Sequence, residues 1–345
     1  MSVGAVRNLS PEFIRDVLPN LPPKRDPNAP FSRESVAQGM AHIKQGKDHA
    51  LATVWSELLE VSVENVQIKM RDGHVAELRV YTPEKITSST LSKPVTYSLH
   101  GGGFVAGNND TEDLINRQFC LVCDVVVFAL DYRLAPEHPV ITTIYEDVED
   151  GLKWVYANAA QHGGDISKGL CLTGTSSGAA MCAMLGYRAP SLGVPIAGMV
   201  LRQPAFIFNT YEAAAKEEWK PLLKSREENH DAPILGGNDV INLNGLIAIP
   251  VEDLIKPENS PIYASKEQLA GMPPTYIVQA ECDPMADEVA LFHSLLKEAG
   301  VVTRLQMYNG MPHGFHAFHQ LEAARQEMKD TAAGLSWLLT LSASS

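Results

Sequence analysis

A serine set between glycines, where an apolar strand pattern runs into a helical one, is the clearest chemical feature of this chain. Residues 170–189 read LCLTGTSSGAAMCAMLGYRA. The stretch Gly174-Thr175-Ser176-Ser177-Gly178 fits GxSxG, the nucleophile elbow. The turn is so tight that only small residues fit at the two glycine positions, and the strained serine projects its hydroxyl beyond the sheet. The helix that follows favours negative charge developing at its N-terminus. The chemistry in view is attack by Ser176 on an electrophilic carbon. The bland alternative is an ordinary Gly/Ser turn.

A second feature precedes it. His100-Gly101-Gly102-Gly103-Phe104 follows the apolar strand pattern PVTYSL. Three glycines in a row present backbone N–H groups without side-chain hindrance, as an oxyanion hole requires. Neither GxGxxG nor GxxxxGK occurs here, so a phosphate cradle is the weaker reading. The candidate oxyanion donors in this loop are Gly101, Gly102 and Gly103.

A serine needs a base to take its proton, and the base needs an orienting acid. Asp283, in ECDPMADE, follows the strand pattern TYIVQA; His313, in GMPHGFH, follows VTRLQMY. Both fall where a strand's C-terminal end meets a loop, and Ser, Asp, His is the chain order that accompanies GxSxG. Asp287 is the rival acid, placed on the following helix with its side chain directed away from the sheet edge. His313, His316 and His319 are spaced for a metal, but no carboxylate cluster supports one, so no metal is expected. His138, in APEHP, reads as structural.

These residues need a scaffold that brings strand ends together. Strand patterns at 66–70, 77–81, 95–99, 125–130, 170–173 and 198–201 alternate with helical ones at 145–160 and 178–188, and the alternation resumes at 275–280, 286–299, 302–308 and 321–341. Asp72-Gly73 joins the first two strands as an antiparallel pair. The remainder implies a parallel sheet with helices on both faces. Residues 1–60 carry a Pro-rich linker at 21–30 between helical stretches, one opening at Ser32 and Glu34 and another with Leu51, Val54, Leu58 and Leu59 on a helical period. A charged, Pro-rich stretch at 209–261 breaks the alternation and reads as an insertion.

Composition narrows the rest. The chain has 345 residues, 45% hydrophobic and 20% charged, which fits a globular protein with a sizeable core. With 28 Lys+Arg against 41 Asp+Glu its net charge is -13, which argues against nucleic acid as a partner. The five cysteines, Cys120, Cys123, Cys171, Cys182 and Cys282, make neither a disulfide framework nor a zinc site: only one CxxC is present. No apolar run reaches the ~18 residues of a membrane span, and the N-terminus lacks the apolar core of a signal peptide. A cytoplasmic location is expected.

Taken together, RVYTP, HGGGFVAG, DYRLAPEHP, GTSSGA, DPMADE and MPHGF resemble the hormone-sensitive lipase family of serine esterases, over residues 63 to 320. The resemblance implies an α/β-hydrolase fold, with a mostly parallel eight-stranded sheet flanked by helices. It implies a helical cap from residues 1–60 and 206–261, over a catalytic domain at 61–205 and 262–345. It implies Ser176 as nucleophile, His313 as base, Asp283 as acid, and oxyanion donors from the HGGG glycines and Ser177. Asp131, Arg133 and Glu137 would form a buried polar network behind the site. The elbow departs from the family's GDSAGG or GTSAGG, with Ser177 for Ala and Ala179 for Gly; the extra hydroxyl would perturb Ser176 or touch substrate.

The expected activity is hydrolysis of small or medium apolar carboxylic esters through an acyl-enzyme, with no cofactor. Phe104, Phe206 and Phe208 would line the substrate pocket. A small-molecule ester is the expected partner, and a homodimer is left open. Two alternatives stand beside it: a natural-product tailoring enzyme (deacetylase, lactonase or elimination catalyst), and a non-catalytic small-molecule receptor. The receptor reading is weakened by the presence of all three triad residues.

Overall fold

The computed structural model describes residues 8–21, 32–83 and 92–342. Eight strands form one sheet: β1 Val61–Lys69, β2 Val75–Pro83, β3 Val95–Leu99, β4 Val126–Leu130, β5 Leu170–Thr175, β6 Gly198–Arg202, β7 Thr275–Ala280 and β8 Thr303–Tyr308. Their spatial order is β1-β2-β4-β3-β5-β6-β7-β8, antiparallel at β1/β2 and β2/β4 and parallel from β4 to β8. This is the α/β-hydrolase architecture. Every strand expected from the sequence is present, and Gly73 turns β1 into β2 at φ 92°.

The central strands β3 to β7 are buried along their whole length, which explains their unbroken apolar runs. Alternate residues feed two cores. Val126, Phe128 and Leu130 of β4 pack with the helices Tyr145–Asn158, Ser177–Leu192 and Ala286–Glu298. Val127 and Ala129 face the opposite core, with Asp113–Cys123 and Glu322–Ser342. At ~25 cal/mol per Å2 of apolar surface removed from water, this double core is the main stabilising term.

The N-terminal expectation changes in detail. Ser32 caps the Arg33–Thr53 helix by accepting from the Ser35 N–H at 3.3 Å. This helix runs unbroken for 21 residues, and its period does not continue through the next segment. A single 3-10 turn follows at Ser56–Glu60, burying Leu58 but leaving Val54 and Leu59 exposed. Most of the Pro-rich linker, residues 22–30, lies outside the described residues.

Between β6 and β7 the chain forms four short α-helices, Tyr211–Ala214, Ser225–Glu228, Val251–Leu254 and Lys266–Leu269, and one longer one, Gly237–Ile247. Among the described residues no helix is long and apolar enough to cross a membrane. None of the five cysteines forms a disulfide.

Candidate active site

The strand pairing assembles the site. β3 and β5 are parallel neighbours with Leu99 opposite Gly174. The loop leaving β3 and the turn leaving β5 therefore emerge side by side at one edge of the sheet. The chain crosses from β4 over β3 to reach β5, so strand order reverses here, and open α/β sheets form their crevices at such a point.

Ser176 occupies the turn at φ 55°, ψ -120°, a region costly for any residue with a Cβ. Its N–H donates to the Arg202 carbonyl at 2.8 Å, and its carbonyl accepts from Ala180 at 3.0 Å. Both elbow glycines are demanded by close approach. A Cβ on Gly174 would lie 2.5 Å from the Gly178 carbonyl carbon, and one on Gly178 would lie 2.2 Å from the Leu99 oxygen.

His313 Nε2 lies 3.1 Å from Ser176 Oγ, and its Nδ1 lies 2.6 Å from Asp283 Oδ2. An ionised carboxylate only accepts, so Nδ1 carries the hydrogen and Nε2 is left to accept from the serine hydroxyl. Asp283 is buried at 1% exposure, and its Oδ1 accepts from the Met285 N–H at 2.8 Å. The rival, Asp287, is engaged elsewhere: its Oδ2 accepts from the N–H groups of Lys224 and Ser225, both at 2.7 Å.

The glycine loop is held on both sides. Phe104 adopts φ 65°, the left-handed region, where an aromatic residue is strained. Its N–H donates to Ser177 Oγ at 3.3 Å, and its carbonyl accepts from Ala135 at 2.8 Å. The Ser177 hydroxyl is thus fully buried under the loop, facing Phe104 and not Ser176, which differs from the expectation for that substitution. The Gly101 N–H also departs from its expected role: it is directed to Glu112 Oε1 at 3.4 Å. Among the described residues nothing accepts from the N–H groups of Gly102 or Gly103. Ser177 opens its helix, so its N–H has no intrahelical partner.

The three phenylalanines separate. Phe104 and Phe208 meet edge-to-face with centroids 5.0 Å apart, whereas Phe206 packs on Phe292 at 4.3 Å. From the segment between β6 and β7, Leu243 lies against Gly103 and Ile234 against Gly314. Asp131, Arg133 and Glu137 do not form one network. Arg133 pairs with buried Asp147 at 2.6 Å, Glu137 meets Arg33 at the surface, and Asp131 lies 3.9 Å from His100 Nε2. Burial, reinforced by Glu77, raises the Asp131 pKa to about 6, and burial lowers that of His100 to about 4.

Several contributors escape a motif search. Gln203, at φ 48°, accepts from the Gly314 N–H at 2.7 Å and also bonds His316 Nδ1, so it braces the turn carrying His313. Burial keeps His316 well below the usual imidazole range, hence neutral. Glu112 and Arg202 lie directly behind the elbow. Among the described residues no group of three or more His, Cys, Asp or Glu side chains is arranged to hold a metal.

A family model described as the alpha/beta hydrolase fold matches residues 96–317. The chain belongs to the hormone-sensitive lipase family of α/β hydrolases. It is a hydrolase by that membership. Esterase LipI of Mycobacterium tuberculosis is 32% identical over 250 residues, covering 72% of this chain and 73% of its own. Versiconal hemiacetal acetate esterase of Dothistroma septosporum is 29% identical over 285 residues, covering 80% and 82%. The crystal structure of vibralactone cyclase superposes with a TM-score of 0.88 at 30% identity, over 98% of this chain and 97% of that one.

Proposed function

We propose that the protein is a serine carboxylic-ester hydrolase with Ser176 as nucleophile, His313 as general base and acid, and Asp283 as the orienting carboxylate. The observation that carries this reading is the continuous Ser176–His313–Asp283 chain of hydrogen bonds at 3.1 and 2.6 Å. His313 Nε2 takes the Ser176 proton as Oγ attacks the ester carbonyl. The N–H groups of Gly102, Gly103 and Ser177 receive the tetrahedral oxyanion. The imidazolium, stabilised by Asp283, returns the proton to the departing alcohol. Water then enters by the same route and releases the acid.

The described parts of 1–60, residues 8–21 and 32–60, together with 206–261, act as the cap over this centre, and Phe104 and Phe208 supply apolar wall, which favours small or medium apolar esters. A second reading rests on the likeness to a cyclase and to an esterase of a hemiacetal acetate. In it, the substrate is a natural-product ester, and in the cyclising case a hydroxyl of the substrate, in place of water, takes the acyl group from Ser176 and closes a lactone.

Short-chain nitrophenyl esters and a fluorophosphonate test the proposal together. The expected result is turnover by the wild type, covalent labelling at Ser176, and loss of both in Ser176→Ala, with a fall in kcat on the order of 10⁶-fold. Labelling that persists in Ser176→Ala, or maps to Ser177, overturns the assignment.

A further inference from the structure

Three ionisable side chains are buried together behind the elbow: Glu112 at 4% exposure, Arg202 at 3% and Glu327 at 0%. Arg202 engages Glu327 with two parallel bonds, Nε to Oε1 at 2.8 Å and Nη2 to Oε2 at 2.9 Å. Its remaining nitrogen, Nη1, reaches Glu112 Oε2 at 2.9 Å and Thr175 Oγ1 at 3.0 Å. The Thr175 hydroxyl in turn donates to Glu112 Oε2 at 2.9 Å. Glu112 Oε1 accepts from the Gly101 N–H at 3.4 Å.

Burying an ion cluster is a poor source of stability, because desolvation offsets most of the attraction between the charges. Here burial pushes the Glu112 carboxyl upward, with Arg202 opposing that shift. The placement of its partners suggests another use. Gly101 is covalently joined to Gly102, whose N–H is a proposed oxyanion donor. Thr175 is joined to Ser176. Arg202 supplies the carbonyl that takes the Ser176 N–H. One carboxylate therefore spans the end of β3, the end of β5 and the end of β6. All three of its partners are donors, so the site calls for a group that only accepts, which an ionised carboxylate is.

We propose that Glu112 is a positioning residue for the oxyanion hole: its carboxylate ties Gly101 to Thr175 and so fixes the Gly102 and Gly103 donors relative to the Ser176 hydroxyl. The inference rests on the serine-hydrolase reading above. Reacting groups must be held to a fraction of an ångström, and a misplacement of ~1 Å can lower a rate by about 10²-fold.

Glu112→Gln tests it with little change of shape. A carboxamide presents one acceptor and one donor, so in either orientation an N–H faces another donor, at Gly101 or at Arg202 and Thr175. The expected outcome is a fall in kcat of roughly 10- to 100-fold with KM within about twofold. The rate of fluorophosphonate labelling should fall by the same factor, since the phosphonyl oxygen occupies the same hole. A purely structural role would lower the fraction of active enzyme, counted by active-site titration, and leave kcat per active site unchanged. Thr175→Val is the second variant, because it deletes one arm and keeps the Glu112–Arg202 pair; a smaller fall with the same kcat-against-KM split is expected. Folded Glu112→Gln with kcat per active site within twofold of wild type overturns the proposal. If Glu112→Gln does not fold, an unchanged kcat in Thr175→Val overturns it. Wild-type protein that is not labelled at all places the fault in the serine-hydrolase reading and not in Glu112.

Discussion

The C-terminal edge of the sheet and the segment between β6 and β7 meet at Gly103 and Gly314, yet they are built on different principles. At the edge, backbone dictates position. Gly174 and Gly178 approach other main-chain atoms so closely that no Cβ fits, and Ser176 is pinned through its own N–H and carbonyl. The segment above contributes side-chain ends. Leu243 rests on Gly103 and Ile234 on Gly314, while Leu222, Ile234 and Ile241 stay largely exposed. A main-chain contact yields only by refolding the turn, whereas a leucine yields by changing rotamer. In the proposed reaction, the geometry for bond-making and that for admitting substrate are therefore under separate control.

The largest test of this contrast sets two carboxylates of one segment against each other. Asp283→Asn should keep the fold and lower kcat by roughly 10⁴-fold, as loss of the orienting acid misplaces the imidazole hydrogen. Asp287→Asn exchanges a charged acceptor of the Lys224 and Ser225 N–H groups for a neutral one and should cost about 1 kcal/mol of stability, with kcat near wild type. Steady-state rates measured on both variants break the assignment if the second collapses and the first does not.

A smaller effect separates two adjacent glycines. Gly102 sits at φ 129°, and a Cβ there would lie 2.0 Å from the Ala106 carbonyl oxygen. Gly102→Ala must therefore shift the loop, with an expected loss of about 10²–10³-fold in kcat, the cost of one missing oxyanion donor. Gly103 sits at φ 61°, and the atoms nearest its Cβ would belong to the Leu243 side chain, from 3.2 Å. Gly103→Ala should lose less than about tenfold, since alanine tolerates that φ at a cost of ~1–2 kcal/mol. Adding Leu243→Ala should recover part of that loss. A loss in Gly103→Ala as large as that in Gly102→Ala, relieved only by Leu243→Ala, would show that the segment is as unyielding as the sheet edge.

The same division governs what could be read from the amino acids. Strands, elbow, glycine loop and the Ser, Asp, His order announce themselves, because each demands particular residue types at short spacing. Glu112 lies in the charged run DTED, and Arg202 and Gln203 stand at the end of a strand without a motif, so nothing local marks them as buried beside the site. Their positions are properties of the assembled sheet. DYRLAPEHP misleads in the opposite sense: its charged residues are close in sequence but turn to Asp147, Arg33 and His100 separately. The Ser177 hydroxyl was legible as a departure from the usual elbow, but its partner, Phe104, depends on how a distant loop folds over it.

The pairing of Leu99 with Gly174 has a consequence for how such a chain can vary over generations. A strand advances about 3.3 Å per residue and reverses the facing of its side chains at each step. Gain or loss of one codon within β3 or β5 would carry the glycine loop past the serine by more than a bond length and turn the core residues outward. The connection from β6 to β7 leaves and re-enters the sheet at strand ends and can lengthen or shorten with little effect on that alignment. Descendants of this chain can thus remodel which molecules they admit while inheriting the alignment of Ser176 with its glycine loop unchanged.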